Sequence, residues 1–212
     1  MSAAVVPVKA LSAGKSRMAA ALGRERAAAL VLAMLEDVVS ALRAVPRLSA
    51  VAVVTPDAAV AAAAERVGAR PLLGDDPGLN PSIDRAARAL GPACEGGLVV
   101  VLGDVAGVRA EEVEQVLDAL AELGSPGAVL VPARDGGSAV LARNPHDAFP
   151  ARFGPDSAAA HREAARGAGV PLVELRLPSC ELDLDGEEDL RAFLAGPGAG
   201  PRTRAVLRAH GA

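Results

Sequence analysis

Residues 98–107 read LVVVLGDVAG, an unbroken apolar run closed by Gly103 and Asp104. A short run with no polar face is a strand covered on both sides, and the acidic residue that follows it falls at the strand's carboxyl end, where an open α/β sheet presents ligand groups. Working outward from this stretch, the same kind of Val-rich run recurs at 3–8, 50–55, 69–73, 128–132 and 171–175. Between these runs lie Ala-rich segments with helical periodicity at 25–45, 57–67, 82–90, 110–123, 157–168 and 187–194. Such alternation predicts an α/β fold with a mostly parallel central sheet and helices on both faces. Past residue 132 the regularity loosens, with a short extra strand expected at 138–142 and a Pro- and Phe-containing loop at 144–156. The expected organisation is a single domain over 1–195, followed over 196–212 by a Gly/Pro linker and a short basic tail.

Bulk properties narrow the partners. The 212 residues carry a formal net charge of −4, which leaves no basic footprint for nucleic acid or an anionic membrane surface. No apolar stretch reaches the roughly 18 residues needed to cross a bilayer, and the N-terminus has no secretory pattern, so a cytoplasmic protein acting on small molecules is expected. The two cysteines, Cys94 and Cys180, form no metal-binding pair and read as free thiols. With 1% aromatic residues and neither Trp nor Tyr, the core has to be built from Ala, Val and Leu. A purine would have to be held by hydrogen bonds, because aromatic stacking partners are scarce.

Several constellations carry chemistry. In CELDLDGEEDL (180–190), Asp183 and Asp185 would share one face of an extended strand, a geometry suited to a divalent cation. Together with Asp104 they would hold Mg²⁺, a hard ion that takes oxygen ligands and shares them with substrate phosphates. Each motif alone also reads as a helix cap or a solvated turn. In VPVKALSAGKSRM (6–18), Lys9, Lys15 and Arg17 flank a turn of small residues including Gly14, where a backbone can approach phosphates and the cations can neutralise them. It is not a P-loop, since Lys9 occupies the position of that motif's first Gly. In GDDPGLNPSID (74–84), Asn80 stands at a helix mouth with a donor and an acceptor suited to a purine edge, or simply as part of a turn and cap. ARDGGSAVL (133–141) and FGPDSAAAH (153–161) offer Ser138, Gly154 and Ser157 for a small anion, the latter two at a helix start. His161, four residues past Ser157, could face the same pocket, although a lone His on an Ala-rich helix is more often just exposed.

The order VPVK…GKSR, TPD, GLN, GDVAG, DGGS, FGPDS and LDLDGEEDL resembles the 2-phospho-L-lactate or phosphoenolpyruvate guanylyltransferases of coenzyme F-420 biosynthesis, over nearly the whole chain up to Leu194. The resemblance implies a Rossmann-like nucleotidyltransferase fold of the glycosyltransferase-A kind. It also implies transfer of GMP from GTP to a phosphorylated three-carbon acid (2-phospho-L-lactate, phosphoenolpyruvate or 3-phosphoglycerate) with release of pyrophosphate. By the same resemblance Asp104, Asp183 and Asp185 match metal ligands, Ser138, Gly154 and Ser157 match the acid's site, Lys9, Gly14, Lys15 and Arg17 fall in the phosphate loop, and Asn80 lies near the base. The catalytic set so implied is Lys9, Lys15 and Asp104. Two departures, Val105–Ala106 where a Pro-containing segment is usual and Ser138 where relatives have Thr, leave the identity of the acid open. The alternatives are a nucleotidyltransferase of the molybdenum-cofactor type or a non-catalytic nucleotide-binding protein on the same fold. The oligomeric state is open, a homodimer included.

Overall fold

The two faces of a strand decide what must cover it. In β1 (Ser2–Pro7), Ala4 and Val6 enter one core cluster while Ala3 and Val5 enter another. β4 (Leu98–Val101) divides in the same way, with Val99 and Val101 on the first side and Leu98 and Val100 on the second. A run that is apolar at every position therefore needs helices on both faces. The computed structural model describes residues 1–12, 16–182, 184, 186–196 and 199–209, with the side chains of Ser16, Arg17, Ala21 and Glu187 excepted.

The remaining strands are β2 (Leu48–Thr55), β3 (Arg70–Leu73), β5 (Gly127–Pro132), β6 (Ser138–Asn144) and β7 (Leu172–Glu174). They form one seven-stranded sheet in the order β3-β2-β1-β4-β6-β5-β7, parallel throughout except for β6, which runs against both of its neighbours. On the first face lie α2 (Arg24–Arg43), α3 (Ala58–Arg66) and α5 (Ala110–Leu123), and on the second α4 (Leu79–Leu90) and α6 (Ser157–Gly167). Every strand and helix expected from periodicity is present, with ends shifted by a few residues. α4 begins earlier than expected, at Leu79; just before it the Asp76 carboxylate accepts the Gly78 amide at 3.0 Å, and Pro81 sits in the first turn, where a missing N–H costs nothing.

Periodicity does not reveal two further helices, α1 (Ser16–Leu22) and α8 (Pro201–Ala209). With α2 and α7 (Glu187–Ala195) they bury a third cluster that includes Met18, Leu30, Met34, Leu190, Phe193 and Leu207. The segment expected as a basic tail is thus a docked helix, and its start is capped from another element. Asp37 of α2, buried, accepts the Thr203 amide and hydroxyl, each at 2.8 Å, and the Arg202 amide at 3.2 Å. Replacing Asp37 by Ala should strip these buried donors of their acceptor and lower the unfolding free energy by about 2 kcal/mol. Glu36→Ala, which removes only ion pairs with the exposed Arg66 and the half-exposed Arg202, should cost at most about 0.5 kcal/mol in the same urea titration. Equal effects of the two substitutions would contradict this account of α8.

Candidate active site

The reversal of β6 puts its first residue beside the end of β4. Val101 pairs with Val140, and the Leu102 amide donates to the Ala139 carbonyl at 3.2 Å, so Ser138 comes alongside Gly103 and Asp104. Gly103 lies close against the end of β1, since a Cβ there would sit 2.8 Å from Val8 Cγ2 and force that side chain to move. β1 and β4 consequently end close together, and a cavity of about 370 Å³ opens between their ends. Its polar lining includes Lys9, Asp104, Asp135, Ser138, Gly154 and Ser157, against an apolar wall of Val8, Leu11, Val31, Met34 and Leu79.

Each polar wall has its own support. Lys9 rides on a loop pinned by Asp57, whose Oδ2 accepts the Leu11 amide at 2.9 Å while Oδ1 caps α3 through Ala59. The Leu11 amide is the main reason that the Asp57 carboxyl is held below the ordinary aspartate range. The turn between β5 and β6 closes through Ala133 N–H to Gly137 O at 3.0 Å and the Gly137 amide to Asp135 Oδ1 at 2.7 Å. Gly136 O accepts the Ala158 amide, fastening this turn to the start of α6. The entry to α6 takes an uncommon backbone path, with Asp156 left-handed at φ 52° and Gly154 at φ 140°, a conformation that glycine reaches without a Cβ clash.

Sequence reasoning expected the amides at this helix start to grip an anion. Two of them are committed, Ser157 N to Gly154 O and Ala158 N to Gly136 O. The hydroxyls of Ser138 and Ser157, both buried and 3.1 Å apart, are the polar groups left facing the cavity there. Asn80 is half-buried and does not line the cavity. Its amide spans the Phe153 backbone, donating to the carbonyl at 3.0 Å and accepting the N–H at 2.8 Å, so it holds the segment leading into Gly154. That is a different use from the purine contact expected of it.

His161 departs from expectation as well. It is fully buried, packed edge-on against Phe153, with Nδ1 2.8 Å from Ser138 Oγ and Nε2 accepting the Arg152 amide at 2.8 Å. Sequence reasoning also gave no role to Asp57 beyond a motif position, and none to Asp135. Nothing local distinguishes these residues from ordinary cap and turn aspartates. Of the expected residues, Lys9, Asp104, Ser138, Gly154 and Ser157 share the one cavity. Gly14, Lys15, Asp183, Asp185 and the Arg17 side chain lie outside the described residues.

Residues 2–211 match the family model described as guanylyl transferase CofC like. The chain belongs to this family. It is 39% identical over 198 residues to a phosphoenolpyruvate guanylyltransferase of Sphaerobacter thermophilus, covering 91% of this chain and 92% of that protein. A second protein of that name, from Rubrobacter xylanophilus, is 38% identical over 203 residues, covering 95% and 97%. A solved structure from Desulfovibrio desulfuricans, named for a nucleotide-diphospho-sugar transferase, superposes with a TM-score of 0.77 at 20% identity, covering 99% of this chain and 95% of that one. The protein is accordingly an enzyme, a guanylyltransferase on the nucleotide-diphospho-sugar transferase fold.

In this family member both cysteines are free thiols. Both are buried, and the Cys180 thiol is pushed up to about 12, first by burial and then by the charge of Glu112. His161 is held neutral, its pKa lowered from 6.5 to about 4, mainly by burial and further by the Arg143 charge. The unfolded chain, by contrast, charges this ring below its ordinary value, so between those limits it binds more protons than the native state. The stability that the neutral ring contributes is fully present above about 6.5 and is lost as pH falls towards about 4, by up to about 1.4 kcal/mol per pH unit. Urea unfolding from pH 7 to 4.5 should therefore fall more steeply for the wild type than for His161→Gln, and parallel curves would contradict the buried neutral ring.

Proposed function

We propose that this protein transfers GMP from GTP to phosphoenolpyruvate, with release of pyrophosphate, as a step of coenzyme F-420 biosynthesis in the cytoplasm. The observation that carries the reading is the single cavity joining a cation and a carboxylate at the ends of β1 and β4 to a pair of hydroxyls at the start of α6. The names of the relatives supply the acid. An oxygen of the acceptor phosphate attacks the α-phosphorus of GTP, a new phosphoanhydride bond forms, and the bond to the β-phosphate breaks with its electron pair leaving on pyrophosphate. Because that phosphate is already anionic near neutral pH, no side chain has to remove a proton, and the site's work is positioning and neutralising charge.

Each residue then has a task. Lys9, with Gly14, Lys15 and Arg17, which follow it in the chain, would hold the triphosphate, and Ser138, Gly154 and Ser157 would hold the acid. The donor chemistry fits Mg²⁺ and not a softer ion: among the described residues the carboxylates of Asp104 and Asp135 line the cavity, while the cysteines are buried elsewhere. Asp104, Asp183 and Asp185 are the proposed ligands, although the described residues by themselves contain no cluster of three or more metal-binding side chains. What supports the pair is the anchoring of its neighbours. Glu181 O accepts the Arg134 amide at 3.1 Å beside the Asp135 turn, and Leu184 is buried in the cluster that holds Met34 and Ala106. When bound, the ion would neutralise charge on the triphosphate.

With Mg²⁺, GTP and a panel of phosphorylated three-carbon acids, pyrophosphate release should be fastest with phosphoenolpyruvate, and GTP should outperform ATP. Asp104→Asn should reduce turnover by about a hundredfold or more at an unchanged melting temperature. Equal rates with ATP and GTP, or near-normal turnover of Asp104→Asn, would count against the reading.

A further inference from the structure

A line of hydrogen bonds runs from the backbone at Arg152 to the cavity. The Arg152 amide donates to His161 Nε2, His161 Nδ1 meets Ser138 Oγ, and Ser157 Oγ donates to Ser138 Oγ. A backbone N–H can only donate, so Nε2 has to be the unprotonated nitrogen of the ring. A neutral imidazole then carries its hydrogen on Nδ1 and gives it to Ser138. With His161 and Ser157 both donating, the acceptor positions of Ser138 Oγ are filled, and its own hydrogen must point elsewhere. The open side is the cavity, which both serines line. All three side chains are at most 1% exposed, and the ring plane is further fixed by Phe153, whose centroid lies 4.9 Å away at 74°.

We propose that His161 is a positioning residue for the acceptor: through Nδ1 it orients the Ser138 hydroxyl to donate into the cavity, so that Ser138 offers its hydrogen to an acceptor such as the carboxylate or phosphate of the acid. The inference rests on reading Ser138 and Ser157 as the acceptor pocket, and it adds a cause for that pocket's polarity. The direction originates in a main-chain amide and cannot reverse, whereas two serines alone could turn their hydrogens either way. The position of His161 behind the serines makes it a group that acts through Ser138.

Two measurements test this. Nitrogen-15 NMR of the wild-type protein near pH 7 should show the His161 ring protonated at Nδ1 and bare at Nε2, and the opposite tautomer would overturn the proposal. In kinetics, His161→Asn can keep a donor near the Nδ1 position, whereas His161→Gln can keep an acceptor near the Nε2 position but loses the donor to Ser138. The Gln variant should raise KM for phosphoenolpyruvate by about tenfold with KM for GTP unchanged, and the Asn variant by less than about threefold, as expected for weakening one hydrogen bond to an anion. If the Gln variant leaves the acid's KM unchanged, or moves both KM values together, His161 merely supports the fold and the proposal fails. Absence of product from the wild type with every acid would instead sink the functional reading, and the tautomer, read without turnover, still decides the direction of the line.

Discussion

Because β6 runs against β4, the residue that opens one strand lies beside the residue that closes the other. An all-parallel sheet would place Ser138 at the far end, away from Asp104. The antiparallel pairing costs a tight turn at 133–137, closed by the Asp135 carboxylate and two glycines, one of them at φ 90°. In exchange it brings a hydroxyl, and through Gly136 O the start of α6, to the carboxyl edge of a sheet whose other strands present Lys9 and Asp104. The site depends on that reversal more than on any single side chain.

The cavity also shows how a chain with few aromatic residues builds a polar pocket. None of the three phenylalanines lines it. Polarity comes from short side chains whose directions are set by the main chain behind them: Asp57 by the Leu11 amide, Asn80 by both backbone groups of Phe153, and His161 by the Arg152 amide. Such groups lose little freedom when a ligand binds, and each is held in a direction that suits an anion or its neighbouring loop.

The strands were legible because their signal is local. A run such as Leu98–Val101, buried at every position, has no other economical interpretation, and the acidic residue after it marks the sheet edge. Helix α5 is read with its ends in place for the same reason, its apolar stripe of Val113, Val116, Leu117 and Leu120 being complete in itself. What sequence reasoning misses is set by partners distant in the chain. α8 reads as a basic tail because it follows a Gly/Pro run and carries three arginines in nine residues, and only Asp37, 166 residues from Thr203, completes its cap. His161 reads as exposed because its neighbours are alanines, while the groups that bury it, Ser138 and Phe153, come from a strand and a loop. Asn80 offers the same donor and acceptor to a purine or to a peptide, and only the folded chain brings the Phe153 peptide within reach.

The central claim is a division of labour across one cavity, with the nucleotide held at the ends of β1 and β4 and the acid at the start of α6. The most direct measurement is steady-state kinetics of Ser138→Ala with each substrate varied in turn. The account predicts a loss of about ten- to a hundredfold in kcat/KM for the acid, the effect of removing one hydrogen bond to an anion, with KM for GTP unchanged. A raised KM for GTP beside an unaltered KM for the acid would contradict it, and would make Ser138 part of the nucleotide site.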